Sequence, residues 1–339
     1  LSAYADDTVK GTLLAEQNGR VGRHTEAFFP ELVYMRLQGQ IEKRDSLEGS
    51  AFIDFPVDQT GIYPDYRRNA VELGKIQSSI DSVRSDMDIT ITSVWLKGYA
   101  SPEGSYVHNK ELAIGRTAAL KKYIQQLYRF EGDVITTDFE PEDWAGLRRY
   151  VEQSNLEHRT EIIALIDGNL EPDAKEWKIK RAYPVEYRFL LQNCYPALRH
   201  TDYRIAYTIR SYSDVEEIKR IMRERPQKLS LNEFYLAAQE YEPGTDEFAE
   251  VFEIAVRMFP SDPIANLNAA NATMRRGDLT SAKRYLAKAG DSPEAVYARG
   301  ALSIRQKDYD SARSYLNEAK SLGLEQAGIT LEQLEKQKY

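Results

Sequence analysis

The stretch GYASPEGSYVHNKELAIGRTAALKKYI, residues 98–124, decides the fold. It reads as the end of a buried strand, a tight loop and a long helix. Ahead of it, residues 89–96 (ITITSVWL) are β-branched and aromatic with partial alternation, which predicts a strand. Gly98 and the Pro102-Glu103-Gly104-Ser105 turn end that strand. Asn109 is the expected N-cap, since its side-chain oxygen can accept from an orphan amide of the first turn. Leu112, Leu120, Tyr123, Ile124 and Leu127 then recur at helical spacing and predict the apolar face. Arg116 falls on the same face. A guanidinium bordering a core keeps its charge and so needs an anionic or carbonyl partner.

These residues carry a resemblance. Gly98, Tyr99, Gly104, Asn109, Leu112 and Arg116 fall in register with the motif of the peptidoglycan-binding OmpA-like domain of Gram-negative outer-membrane and periplasmic proteins. Upstream, residues 52–55 (FIDF) and 62–64 (IYP) resemble that family's first strand and following loop. The resemblance implies an α+β fold, a two-layer α/β sandwich of OmpA-like type, βαβαβ with an extra strand. It implies that Arg116 meets the carboxylate of the peptidoglycan diaminopimelate. The family's loop aspartate, which pairs with the diaminopimelate ammonium, aligns with Ser101. A serine cannot neutralise an ammonium, so a charge-assisted bond of ~1.5–3 kcal/mol is lost there.

At 339 residues the chain has room for two or three domains, each with its own core. Its apolar and charged contents, 42% and 29%, are those of a globular protein rather than a disordered or membrane-spanning one. No apolar run approaches the ~18–20 residues that cross a bilayer. A formal net charge of −8 argues against a nucleic-acid surface. Beginning at Leu1, the sequence is expected to be a mature form or a cut piece whose targeting signal is gone. The lone Cys194 excludes an intrachain disulfide and, beside aromatic residues, reads as a small core residue.

In chain order, residues 1–44 read as a lead-in with one edge strand at 32–41, and 42–50 as a turn into a strand at 51–55 that Pro56 stops. The two strands would form a hairpin. Residues 69–83 predict a helix with Ala70, Leu73, Ile76, Ile80 and Val83 on one face. A third strand follows at 134–139 and a helix at 143–153, while 160–166 (TEIIALI) fits either a helix or a strand. Residues 203–212 (YRIAYTIRSY) alternate as a half-buried strand that completes the sheet. The OmpA-like domain is thus placed at 45–212, enlarged before its last strand.

From Ser213 the strand signals vanish. Asp214 caps a helix that Pro226 stops. Ala255, Ala289 and Ala319 then recur at spacings of 34 and 30, each preceded three residues earlier by Phe252, Leu286 or Leu316. Gly277-Asp278 and Lys307-Asp308 mark turns inside units, and Phe259-Pro260 and Ser292-Pro293 mark breaks between them. This resembles tetratricopeptide repeats, each a helical hairpin of about 34 residues. The second domain is therefore an all-α tetratricopeptide-like array at 213–325, with a tail at 326–339.

Four candidate ligand-binding residues emerge: Arg116, Ser101, Glu103 and Asn109. Arg116 either forks onto a ligand carboxylate or ties its helix to loop carbonyls or to Glu103. Ser101 is either a neutral donor in the site or a turn residue before Pro102. Glu103 stands two residues on, as a substitute for the lost aspartate, and Asn109 shapes the loop. No phosphate-binding glycine motif occurs. His24, His108, His158 and His200 are too scattered to suggest a metal. No cofactor is expected, and no constellation points to an enzyme. The expected protein is a non-enzymatic envelope component of the Gram-negative periplasm. It would associate with peptidoglycan and, through its repeats, with a protein partner, with the outer membrane reached through a missing N-terminal part. Loss of glycan binding would leave an interaction scaffold for envelope or surface-appendage assembly. A cell-wall hydrolase is the remaining alternative.

Overall fold

The computed structural model describes residues 28–37, 42–56, 59–131 and 133–336. Its contacts divide the chain into two compact units, one of Leu37–Ala237, the other of residues up to Arg36 together with Ala238–Tyr339. Strands and helices are combined in one chain of the α+β class.

The first unit holds a four-stranded sheet. Its strands are β1 (Lys43–Ala51), β2 (Ile89–Tyr99), β3 (Ile135–Glu140) and β4 (Thr201–Ile209), in the order β1-β4-β2-β3. β4 runs antiparallel to both neighbours, whereas β2 and β3 are parallel. Two helices, α1 (Asn69–Arg84) and α2 (Tyr106–Tyr128), cover one face. Leu73, Ile76 and Ile80 of α1 and Leu120 and Ile124 of α2 share one buried cluster with Val94, Leu96, Tyr203 and Ile205 of the sheet. Those four strand residues are partners across β2 and β4, Val94 with Ile205 and Leu96 with Tyr203, and so point to the same face. Gly98 is required where α2 crosses β2, since a Cβ there would lie 1.9 Å from Thr117 Oγ1.

Between β3 and β4 five helices form a second cluster: α3 (Trp144–Gln153), α4 (Arg159–Asp167), α5 (Pro172–Ala182), α6 (Pro184–Asn193) and α7 (Tyr195–Leu198). The ambiguous run at 160–166 is thus helical. Cys194 lies buried in this cluster, and burial followed by the Asp143 charge pushes its thiol up to about 12.

The structure corrects several expectations. The expected turn at 42–50 is β1, and its partner is β4, so among the described residues no hairpin joins the two expected strands. β1 is an edge strand with a polar sequence, KRDSLEGSA, in which only Ala51 is buried, so no alternation marked it. Residues 32–37 are irregular, and 38–41 lie outside the described residues. On α1 the buried first position is Asn69, not Ala70. Asn69 Oδ1 accepts from Asp54 N at 2.7 Å, and its Nδ2 donates to the carbonyls of Asp54 and Tyr63 at 2.8 and 2.9 Å. On α2 the N-cap is Ser105, whose Oγ accepts from His108 N, and Asn109 is one turn inside. The buried face is Asn109, Ala113, Thr117, Leu120 and Ile124, with Leu127 exposed.

Two more helices, α8 (Val215–Glu224) and α9 (Leu231–Ala238), follow β4. Asp214 caps α8 as expected, accepting from Glu217 N at 2.7 Å. The composition change at Ser213 does not coincide with the change of compact unit. An ion-pair network binds the α8–α9 stretch to the sheet: Lys43 to Glu233 at 2.9 Å, and Lys228 to Asp86 and Asp88 at 2.5 and 3.0 Å. Arg210 meets Asp88 at 2.7 Å, and Tyr212 OH donates to the same carboxylate at 3.0 Å.

The second unit is helical: α10 (Asp246–Met258), α11 (Pro263–Arg275), α12 (Leu279–Leu286), α13 (Pro293–Arg305), α14 (Tyr309–Ser321) and α15 (Glu325–Lys336). Its periodicity is visible bond for bond. α11 and α13 both open on proline behind an N-cap, Asp262 or Ser292. The turns that follow have positive φ at Gly277 and Lys307. Asp278 N donates to Thr273 O, and Asp308 N to Ser303 O, both at 2.9 Å. Asp278 and Asp308 then cap α12 and α14. Gly300 lets α13 approach α14, for a Cβ there would meet Leu316 Cγ at 3.1 Å. Much of the expected tail, 326–336, is helix α15, with Ala327, Thr330 and Leu334 buried.

Candidate functional site

The loop between β2 and α2 brings three of the four expected residues near one another, but each is already engaged. Ser101 is buried, and its Oγ accepts from Arg199 Nε at 2.9 Å. Arg199 Nη2 also reaches Glu103 Oε2 at 2.5 Å. The loop serine and glutamate thus share one guanidinium, supplied by the segment between α7 and β4. Gly104 shapes the loop with φ of +96°. Asn109 Nδ2 donates to Glu142 Oε1 at 2.8 Å, and Trp144 Nε1 donates to the other oxygen of that carboxylate at 2.8 Å. Burial raises the Glu142 carboxyl above its ordinary range, and these two bonds oppose the rise. Asn109 thus ties the β3–α3 connection to α2.

Arg116 reaches the segment ahead of α1. Its Nε donates to Gln59 O at 3.4 Å, and its guanidinium stands 4.9 Å from the centre of the Phe55 ring. Arg116, Phe55, Tyr99, Arg199 and His200 line one narrow cleft. His200 stacks on Tyr99 with ring centres 4.3 Å apart. The cleft measures about 10 Å³, room for about one water. Arg116 and Arg199 stand on its wall, and Arg199 is already paired with Glu103.

A second candidate site lies in the helical unit. Residues 28–36, which form neither helix nor strand, pack against its helices. Asn268 pairs with the backbone of Met35 twice, Oδ1 accepting from Met35 N at 2.8 Å and Nδ2 donating to Met35 O at 2.7 Å. Asn271 Nδ2 donates to Val33 O at 2.7 Å, and Tyr297 OH to Glu31 O at 2.6 Å. Between these contacts, Leu32 is buried among Leu267, Met274, Leu302 and their neighbours. Tyr34 stacks on Phe252 at 5.4 Å and meets Phe248 edge-on at 5.0 Å. Arg275 and Arg305 flank the Phe29 ring at 5.8 and 4.9 Å.

No protein-family model matches the chain, and no curated protein matches it.

Sequence reasoning missed Arg199, Asn268 and Asn271. Arg199 carried no local signal. The asparagines did: NLNAANA in α11 sets three amides in an otherwise apolar, buried helix, and buried amides require partners. Among the described residues no group of histidine, cysteine and carboxylate side chains is placed to hold a metal ion.

Proposed function

We propose that the protein is a non-enzymatic cell-envelope scaffold of a Gram-negative bacterium. Its sheet unit takes the OmpA-like arrangement, and its helical unit is a tetratricopeptide-like array that binds a polypeptide partner. In this reading the sheet unit has given up the diaminopimelate ammonium. The observation that carries it is the Arg199 guanidinium lying against both Ser101 and Glu103. A second cation brought to that place would meet like charge at short range and a carboxylate already paired. The element order β1-α1-β2-α2-β3, with further helices before β4, supports the OmpA-like assignment.

A second reading, retained peptidoglycan association, draws on Arg116 at the edge of the same cleft. There Arg116 would take a carboxylate, with Arg199 beside it. Cosedimentation with purified diaminopimelate-type sacculi separates the two readings. The scaffold reading expects no sedimentation above the control, for the intact protein and for Arg116→Ala alike. Sedimentation of the intact protein that Arg116→Ala abolishes establishes the second reading instead.

A further inference from the structure

The seat occupied by residues 28–36 has three properties of a site for exchangeable polypeptide. Its polar contacts go to main-chain groups of Glu31, Val33 and Met35, so any extended chain can make them. Three side chains have distinct places: the Phe29 ring near two arginines, Leu32 in an apolar slot, and Tyr34 on two phenylalanines, while Phe28, Val33 and Met35 pack against the surrounding clusters. The occupant is also an imperfect match. Among the described residues the buried Tyr34 hydroxyl has no hydrogen-bond partner, and neither has the buried Asn271 Oδ1. The segment has no helix or strand of its own, so its release would break no secondary structure.

We propose that residues 28–36 are a built-in occupant of a polypeptide-binding seat, displaced by the protein partner. The partner is an extended segment with an aromatic residue at the place of Phe29, leucine or a similar side chain at that of Leu32, and phenylalanine at that of Tyr34. Phenylalanine fills the slot between Phe248 and Phe252 without burying an unpaired hydroxyl. A partner built this way competes with the chain's own segment, whose tethering gives it a high effective concentration. The seat is therefore closed to weak ligands and open to well-matched ones. This rests on the reading of the helical unit as the partner-binding part. It is independent of the wall: displacement can succeed whether or not sacculi bind, and sacculi can bind while the segment never leaves.

The test uses the full chain with a protease site placed within residues 37–42. After cleavage the N-terminal piece is expected to stay associated in gel filtration. A synthetic peptide of residues 28–36 carrying Tyr34→Phe should then release it, at a concentration at least threefold below that needed by the unmodified peptide. A scrambled peptide should not release it. Asn268→Ala with Asn271→Ala should weaken labelled-peptide binding at least tenfold, with the helical circular dichroism unchanged. Retention of the piece against every peptide would overturn the proposal and make the segment a fixed part of the core. So would loss of the piece on cleavage from a folded protein that then binds neither peptide.

Discussion

Arg199 Nε donates to Ser101 Oγ at 2.9 Å across a separation of 98 residues. The same guanidinium pairs with Glu103. Serine at this position is thus an acceptor for an internal cation. A loop aspartate would meet Arg199 as an ion pair, and its charge would be spent inside the protein. Ser101 and Glu103 are thus held by one cation from a distant part of the chain.

Gly98 makes the β2–α2 crossing possible, and its replacement has a defined cost. Gly98→Ala sets a methyl 1.9 Å from Thr117 Oγ1 and 3.2 Å from Ala113 O. Overpacking of this kind costs ~1–3 kcal/mol. Urea unfolding of Gly98→Ala should show that loss, and Gly98→Ala with Thr117→Ala should recover part of it. Equal stability of Gly98→Ala and the intact protein would contradict the close approach.

The aromatic slot of the helical unit predicts an unusual gain. Tyr34→Phe removes a buried hydroxyl that has no partner among the described residues, and should stabilise the helical unit by up to ~1 kcal/mol. Leu32→Ala, in a buried position, should cost ~2–4 kcal/mol. Chemical denaturation followed by circular dichroism reads both. A loss on Tyr34→Phe larger than ~1 kcal/mol would mean that the hydroxyl is bonded.

Acid should loosen the sheet unit through Asp88. Burial acts to raise this carboxyl, but bonds from Lys228, Tyr212 and Arg210 outweigh it and hold it down at about 2, against 3.8 for a free side chain. A folded-state value below the unfolded one gives stability that is present above about pH 4 and lost as pH falls towards 2. The size is ~1–2 kcal/mol after allowance for solvent screening. Unfolding free energies between pH 5 and 2 should fall more steeply for the intact protein than for Asp88→Asn. Parallel curves would remove Asp88 from the network.

Where signals were local, the fold was legible in the sequence. Residues 89–96 are β-branched and aromatic with partial alternation, and Gly98, Gly104 and the helix follow closely, so the existence of β2, its loop and α2 could be read directly. The repeat turns at Gly277-Asp278 and Lys307-Asp308 were legible because cap and turn chemistry fixes residue types. β1 was hidden because an edge strand needs no apolar alternation; its order comes from pairing with β4. Asn69 was passed over in favour of Ala70, and Asn109 was read as a cap, because a buried amide has no hydropathy signal and is defined by partners such as Asp54 and Glu142. The candidate site was half legible for the same reason. Ser101 and Glu103 stand in the loop between β2 and α2, whereas Arg199 enters from the far end of the helices between β3 and β4.

The most direct measurement is sacculus cosedimentation of the double variant Arg199→Ala with Ser101→Asp beside the intact protein. Removing the internal cation and placing an acidic side chain at position 101 should open a place for an ammonium, with Arg116 still at the cleft. The account predicts that the double variant binds diaminopimelate-type sacculi and the intact protein does not. Binding by the intact protein that the double variant fails to exceed would contradict the claim that Arg199 closes the site.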